Sequence, residues 1–296
     1  MTDGTARATD PNEAFDLVGD ETRFAIVRAL WDLTDWRSDP ASFAELRAEA
    51  GVKDSGQFNY HLDRLCPEFV RSVDGGYRLT EAGRRVVGGA VSGIYTDHDV
   101  SFEPEPVGAC PACEGTLELG YEGGFMTVTC GDCDKRLVDM STPPVLIAES
   151  DPENIPSVLT RHAMAEVQRM NRGFCVYCGG PLESRLDLPS DGAGFDDLVV
   201  EFDCAACEKS FQWNVFVSIL DHPAVVSLLH DAGIDVRDLP VWSVFTDLDL
   251  EGRIASSDPL RVEATIQVEH GAVTVTLDET LTTVDYAEST ANEPPE

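Results

Sequence analysis

Cysteine spacing constrains the fold of this chain more than any other feature, because eight of its nine cysteines fall into four Cys-x-x-Cys pairs. Sixteen residues separate the first pair from the second, and 25 separate the third from the fourth. A two-residue gap lets a tight turn aim both sulfurs inward, and a β-hairpin can bring two such turns to one tetrahedral metal ion. The spacing therefore predicts two metal-binding ribbons with eight ligands: Cys110, Cys113, Cys130, Cys133, Cys175, Cys178, Cys204 and Cys207.

Four thiolate ligands favour structural zinc, two Zn²⁺ ions per chain, because they leave no open coordination position for a substrate. Thioredoxin-type redox chemistry is the rival interpretation of any single pair, but it does not account for two sets of four. Cys66 is the odd cysteine, and the whole pattern fits a reducing compartment better than a disulfide scaffold. The sequence leaves swapped pairing open, which would require the segment between the ribbons to fold back.

The chain is strongly acidic, with 54 Asp and Glu against 21 Lys and Arg in 296 residues and a formal net charge of −33. The acidic residues occur throughout, so a local interaction motif does not explain them. Molar salt screens the self-repulsion, so this composition is typical of a protein from a very salty, halophilic cytoplasm. No stretch approaches the roughly 20 apolar residues of a membrane helix, and residues 1–11 lack a basic and apolar leader. We therefore expect a cytoplasmic protein without a membrane contact.

The first hundred residues have the signals of a winged helix-turn-helix. Asp20 and Ser42 are predicted N-caps, the latter with Glu45 in the capping-box position, and Pro67 ends the fourth helix. Glycines 75 and 76 indicate the turn of a short hairpin. The predicted elements are a helix from residue 11, helices over 21–36, 42–50 and 55–66, a hairpin over 69–79, and a helix over 81–94.

Four stretches of this region carry a family resemblance: residues 17–27 (LVGDETRFAIV), 43–46 (FAEL), 57–62 (QFNYHL) and 76–83 (GYRLTEAG). They resemble the haloarchaeal ArsR-type winged helix-turn-helix transcriptional regulators, and the later order of ribbons, helix and strands looks like the zinc-ribbon region attached to such winged helices. The resemblance implies binding to double-stranded DNA, a recognition helix over 55–66 in the major groove, and a homodimer on a palindromic operator. Metal sensing is not expected, because the family's metal sensors often carry a cysteine pair on the preceding helix and residues 43–47 contain none.

Hydroxyl, amide, phenol and guanidinium groups are expected on the outer face of the fourth helix, where they read base edges or hold phosphates. His61 is predicted on this face too, where it either contacts DNA or packs the helix turn, and Tyr60 is either a contact or a surface aromatic. Residues 1–98 hold 11 basic and 17 acidic residues, whereas the rest of the chain holds 10 and 37. The predicted DNA-binding residues are Lys53, Ser55, Gln57, Asn59, Tyr60, His61, Arg64, Arg71 and Arg78.

We therefore predict an α+β chain with an N-terminal winged helix-turn-helix, two zinc ribbons, and C-terminal helices followed by a small antiparallel sheet. Pro104 and Pro106 indicate an extended linker. Apolar spacing predicts helices over 154–172, 211–220 and 223–231 and strands over 260–268 and 273–277. The predicted segments are a disordered N-terminus (1–9), the winged helix (10–98), the first ribbon (99–145), a connecting helix (146–173), the second ribbon (174–212) with a turn at 190–194, an α+β region (213–285) and a disordered tail (286–296).

Three function classes are compatible with these patterns. The favoured one is a DNA-binding transcriptional regulator whose C-terminal region senses a small-molecule effector, dimerises or contacts the transcription apparatus. The second is a zinc-ribbon adaptor that binds protein or RNA without sequence-specific DNA recognition. An enzyme is not expected and no catalytic residue is assigned, because the chain has no phosphate-binding glycine loop, Gly-x-Ser-x-Gly elbow or His-Glu-x-x-His helix. A zinc-dependent enzyme would need one ribbon to open a ligand position.

Overall fold

A computed structural model describes residues 10–97, 99–187 and 198–290. The chain divides into two units, Met1–His98 and Asp99–Glu296, and a separate hydrophobic core lies in each. Both helices and small antiparallel sheets are present, as the α+β class predicts. None of the described helices is long and apolar enough to cross a membrane. The predictions for residues 1–9, 190–194 and 291–296 fall outside the described residues.

Five helices and one antiparallel hairpin make up the described part of the first unit. Helices α2 and α5 both end three residues before their predicted limits, because Thr34 adopts an extended conformation and Gly93 has a positive φ of 79°. The elements are α1 (Pro11–Val18), α2 (Glu21–Leu33), α3 (Phe43–Glu49), α4 (Ser55–Leu65), β1 (Val70–Val73), β2 (Gly76–Leu79) and α5 (Glu81–Val91).

Side-chain caps fix where the helices of the first unit begin. Asp20 Oδ1 accepts the N–H of Arg23 at 3.0 Å at the start of α2. At α3, Ser42 Oγ accepts the N–H of Glu45 at 3.3 Å, and the Glu45 carboxylate accepts the Ser42 N–H at 2.9 Å. These bonds satisfy backbone donors that have no partner inside a helix, and they confirm the predicted caps and the capping box.

The core of the first unit is formed mainly by α2, α3 and α4. Ile26 and Leu30 of α2, Leu46 of α3 and Phe58 of α4 are fully buried. Phe58 also meets the Phe43 ring edge to face, with 4.9 Å between the ring centroids. Because the apolar residues of α4 lie three and four positions apart, one side of this helix enters the core and the other faces outward.

The second unit begins with a four-stranded antiparallel sheet in the order β3-β4-β5-β6. Its first strand corrects the sequence prediction of a linker, since Pro104 and Pro106 both lie within β3. Proline lacks an N–H to donate, and β3 is an edge strand, where one side needs no ladder donors. The strands are β3 (Ser101–Ala109), β4 (Thr116–Glu122), β5 (Phe125–Cys130) and β6 (Arg136–Ser141).

A long helix and a second sheet follow. Helix α6 (Val145–Ala148) and a 3-10 turn (Pro152–Asn154) precede α7 (Ile155–Asn171), which confirms the helix predicted between the cysteine sets. Helix α7 buries Leu159, Ala163 and Val167 at helical spacing. The second sheet has the order β7-β8-β9, with β7 (Leu182–Asp187), β8 (Val199–Cys204) and β9 (Ser210–Asn214).

The helix predicted over 211–220 is wrong at its start. Phe211 and Trp213 lie in β9, where they pair with Phe202 and Val200 of β8, and the helix α8 covers only Val215–Ser218. Two aromatic residues at positions two apart fit a strand as well as a helix, and cross-strand pairing with aromatic or β-branched residues stabilises the strand. Helices α9 (Pro223–Asp231) and α10 (Val244–Asp247) come next, and α9 confirms the helix predicted over 223–231.

A four-stranded meander ends the described chain: β10 (Asp249–Ser257), β11 (Leu260–Val268), β12 (Gly271–Asp278) and β13 (Thr283–Thr290). Alternate residues of β11 and β12 are buried, and these strands pack against α8 and α9. The prediction of a disordered tail from residue 286 is wrong for residues 286–290, which pair with β12. Sequence reasoning missed this strand because β13 is an exposed edge, where polar side chains such as Glu288 and Ser289 are tolerated and no buried alternation marks the strand.

Candidate nucleic-acid interface and metal centres

The outer face of α4 carries most of the predicted DNA-binding side chains. Ser55, Gln57, Asn59, Tyr60 and Arg64 are all exposed, with Tyr60 56% exposed. Asp54 caps the helix by accepting the Gln57 N–H at 2.7 Å. One amide is already engaged, since Asn59 Nδ2 donates to the Asp63 carboxylate at 2.9 Å. The face therefore offers mixed polar groups, with acidic and basic charges side by side.

His61 lies on the inner side of α4, and its predicted outward position is wrong. Its side chain is buried with Phe58, Leu62 and Leu65, and its Nδ1 lies 3.5 Å from Asp20 Oδ1. Positions 58, 61, 62 and 65 follow the three- and four-residue steps of a single helix face. The structure thus brings His61 to the junction of α4 with the start of α2, where it packs the helix instead of facing solvent.

The two arginines of the hairpin have different environments. Arg71 in β1 is exposed, and it pairs across the hairpin with Arg78 of β2. The Arg78 guanidinium donates to the backbone oxygen of Asp35 at 2.9 Å and also to the backbone oxygen of Ser38. Arg78 therefore holds the loop after α2, whereas Arg71 and the exposed Lys53 next to α4 keep their charges at the surface.

The eight paired cysteines form two clusters: the first four in the sequence form one, and the last four form the other. Within each cluster the four Sγ atoms all lie within 4.8 Å of one another. All nine cysteines are free thiols, and neighbouring sulfurs stand too far apart for a disulfide bond of about 2.05 Å. The short separations are Cys110–Cys133 3.8 Å, Cys113–Cys130 3.5 Å, Cys175–Cys207 3.7 Å and Cys178–Cys204 3.5 Å.

The same backbone turn builds all four cysteine pairs. In the first, the Cys110 N–H donates to Gly115 O at 2.6 Å and the Glu114 N–H donates to Cys110 O at 2.9 Å. The bonds recur at the corresponding residues of the pairs that begin at Cys130, Cys175 and Cys204. The residue after the second cysteine has a positive φ each time: Glu114 61°, Asp134 59°, Gly179 74° and Glu208 57°.

Strand pairing sets the two turns of each cluster at the proper distance. Leu117 pairs with Cys130 across β4 and β5, and Leu182 pairs with Cys204 across β7 and β8. The first cysteine of each turn is buried and the second is more exposed. Each cluster therefore has one side anchored in the core and the other at the surface.

Peptide N–H groups favour the anionic form of one buried sulfur in each cluster, whereas hydrogen bonds to neighbouring sulfurs and burial raise the pKa of Cys113 and of Cys207 to about 12. The N–H of Ala112 donates to Cys110 Sγ at 3.4 Å and lowers the pKa of Cys110 to about 7. The N–H of Cys207 is the main cause that lowers the pKa of Cys204 to about 6. Four sulfurs at these separations, with N–H donors aimed at them, fit a tetrahedral cation with thiolate ligands. The two clusters could therefore hold two metal ions.

Family models match both parts of the chain. A model described as a domain of unknown function, DUF7351, covers residues 107–283, more than half of the chain. The chain belongs to the DUF7351 family. A second model, described as the domain of unknown function DUF7347, covers residues 11–90, from α1 into α5. No curated protein and no solved structure matches the chain.

The DUF7351 match contains both cysteine clusters, all of α7 and most of the terminal sheet. Sequence reasoning found its eight sulfurs but missed the positions of Glu114, Asp134 and Glu208 in the turns. The available signal was the residue after each second cysteine, which is Glu114, Asp134, Gly179 or Glu208. Glycine is common at turn positions with positive φ because it has no Cβ, and Asp tolerates such positions, whereas Glu is unusual there.

Proposed function

We propose that this DUF7351 protein is a DNA-binding transcriptional regulator of the ArsR-like winged-helix type. In this proposal α4 is the recognition helix in the major groove, and the β1–β2 hairpin is the wing that lies along the DNA backbone. The observation that carries the proposal is the division of α4 into two faces. Phe58, Leu62 and Leu65 are buried, while the polar groups of Gln57, Asn59 and Arg64 are exposed together.

The chemistry of the exposed face supports base recognition. The amides of Gln57 and Asn59 match the donor and acceptor pair of adenine, and the Arg64 guanidinium matches the two acceptors of guanine. Ser55 and Tyr60 add hydroxyl groups that bind bases or phosphates. Lys53 and Arg71 are exposed on either side of α4 in the sequence and are the expected phosphate contacts.

Charge restricts how such a protein binds DNA. The net charge of −33 opposes association with a polyanion, and molar salt removes most of the counterion-release contribution. We therefore expect base contacts and a few local cations to supply most of the affinity. Specificity then persists at salt concentrations that abolish non-specific binding.

We further propose that each cysteine cluster holds one structural Zn²⁺ ion. Four sulfur ligands per ion leave no open position, so the ions would stabilise the fold and carry no catalytic step. The protein would then be a regulator and not an enzyme. Its second unit would dimerise, sense an effector or contact the transcription apparatus in the cytoplasm.

The test is selection of DNA by the full-length, metal-loaded protein from a library of random duplexes at molar KCl. The proposal predicts enrichment of a defined motif, and a homodimer predicts an inverted repeat. A parallel selection with random single-stranded RNA serves as the comparison. If the DNA pool stays random while RNA is enriched, the protein is an RNA-binding adaptor and the proposed function is wrong.

A further inference from the structure

A cleft of about 300 Å³ lies in the second unit, and none of the described residues that line it is a cysteine. Four separate parts of the chain line it: the end of α7, the strands β7 and β8, the loop between α8 and α9, and the connection from β12 to β13. Its volume is at the small end of the range for ligand sites in proteins. Convergence of several elements on one cleft is typical of binding sites.

The cleft is held together by bonds between these elements. The Ser184 hydroxyl of β7 donates to Thr280 O at 2.9 Å, and the Leu186 N–H donates to Glu279 O at 3.1 Å. Asn171 at the end of α7 donates to Val217 O at 3.4 Å and to Asp221 Oδ1 at 3.3 Å. These contacts fix the relative positions of the walls, so the cleft is formed before any ligand enters.

Its walls combine apolar side chains with one carboxylate and one imidazole, those of Asp221 and His222. Phe202 and Leu277 are almost fully buried and supply an apolar floor. Among the described residues that line the cleft, Asp221 is the only Asp, Glu, Lys or Arg, and its side chain is 22% exposed. A partly buried carboxylate at the edge of an apolar surface attracts a cation more strongly than an exposed one does.

One cationic side chain, that of Arg172, already lies near Asp221, but the ion pair is weak. Arg172 Nη2 lies 3.8 Å from Asp221 Oδ2, its side chain is 60% exposed, and it is not among the residues that line the cleft. Solvent-exposed ion pairs at this separation contribute little. Asp221 Oδ1 accepts from the Asn171 amide, a neutral donor that brings no positive charge to the carboxylate.

We propose that this cleft binds a small organic cation, a protonated amine attached to an apolar body. The ammonium group pairs with Asp221, and the apolar body covers Phe202 and Leu277. The proposal concerns the second unit alone and does not depend on whether α4 binds DNA. It assigns the unit a ligand of defined chemical class.

The cleft is also connected to the second cysteine cluster. Leu182 lines the cleft and pairs directly with Cys204, and Phe202 lies two positions before that cysteine on β8. Loss of the metal would release the end of β8 and displace the floor. Amine binding should therefore disappear when a chelator removes the metal from the protein.

Calorimetry on the full-length, metal-loaded protein tests the proposal with three probes of similar shape at one fixed KCl concentration. The probes are 2-phenylethylammonium, neutral 2-phenylethanol and anionic 3-phenylpropionate. We expect the amine to bind at least about tenfold more tightly than the alcohol, because a hydrogen bond to a charged group is stronger than a neutral one. The anion should bind least.

Two variants move the affinity for the amine in opposite directions. Asp221→Asn keeps the size and the Asn171 contact, and it should remove the preference for the amine over the alcohol. Arg172→Gln removes the competing cation and should tighten amine binding by about two- to fivefold. Asp238→Asn, an exposed acidic residue outside the cleft, should change neither affinity.

The proposal is wrong if the amine binds no better than the alcohol, or if the anion binds best. It is also wrong if Asp221→Asn leaves the preference for the amine intact. Should Asp221→Asn fail to fold, the comparison of the three probes on the wild-type protein decides, because it needs no variant.

Discussion

Replacing Cys204 by serine removes one of the four sulfurs of the second cluster and tests whether that cluster is structural. Cys204 is 3% exposed at the end of β8, and peptide N–H groups already favour its thiolate form. Serine is similar in size but is a poor ligand for zinc. The variant should therefore lose one of the two metal ions per chain.

The expected cost is large compared with the stability of a domain. Structural zinc contributes about 10–16 kcal/mol at neutral pH, and the net free energy of unfolding of a domain is about 5–15 kcal/mol. Residues of the two sheets that carry the clusters belong to one continuous core that extends to β11 and β12. Loss of one ion should therefore unfold the second unit at 25 °C, or leave it stable by only a few kcal/mol.

Metal analysis and urea denaturation measure this effect together. Trp213 and Trp242 lie in the second unit, and replacing Trp31 and Trp36 by phenylalanine leaves them as the fluorescent reporters. The parent protein should bind two zinc ions and unfold cooperatively, whereas Cys204→Ser should bind one and show no transition or one at much lower urea.

Cys66→Ser is the matched control, because Cys66 lies in the first unit, outside both clusters. It should keep both metal ions and an unchanged transition of the second unit. If Cys204→Ser retains two ions per chain with a normal denaturation midpoint, the cluster does not have the structural role assigned to it.

Substitutions at three further positions test local features of the structure. His61→Ala should destabilise the first unit, because His61 is 9% exposed and lies on the buried face of α4. Urea denaturation should show a lower midpoint, and an unchanged midpoint would contradict its burial. Asp20→Ala should cost about 1 kcal/mol through loss of the α2 cap. Hydrogen bonding from the Arg23 N–H is the main cause that lowers the pKa of Asp20 below 3.8. The stability from this carboxylate is fully present above pH 3.8 and is lost as the pH falls through the lowered, folded-state pKa. In thermal melts the advantage of the wild type over Asp20→Asn should therefore shrink as the pH falls below 3.8, and a constant difference would argue against the cap. Glu208→Val should cost about 1–2 kcal/mol, because a β-branched residue is strained at a φ of 57°; Glu208→Gly should not, and equal melting temperatures for the two would argue against the turn.

The sequence alone was sufficient to predict those features that depend on a single local interaction. Cysteine spacing predicted the composition of both clusters, and the Ser42 and Glu45 pattern predicted the capping box at α3. In each case the interacting residues are close in sequence or repeat with a fixed spacing. Such signals do not depend on how distant parts of the chain pack.

The features that were predicted wrongly depend mostly on contacts with distant parts of the chain. Phe211 and Trp213 form a strand because β8 lies beside them, and residues 286–290 pair with β12 although they are mostly polar. His61 could have been placed correctly, because it follows the spacing of the buried residues of α4. The cleft around Asp221 could not be predicted from the sequence, since its walls come from distant segments of the chain.

The affinity of the full-length protein for its selected duplex, with and without the side chains of α4, tests the central claim most directly. Fluorescence anisotropy at one salt concentration would compare the wild type with Gln57→Ala, Arg64→Ala and the control Arg85→Ala, an exposed helical arginine of α5. We expect Gln57→Ala and Arg64→Ala each to weaken binding by about 1–3 kcal/mol on the selected duplex and to have little effect on a scrambled one. Wild-type affinity of both variants for the selected duplex would contradict the assignment of α4 as the recognition helix.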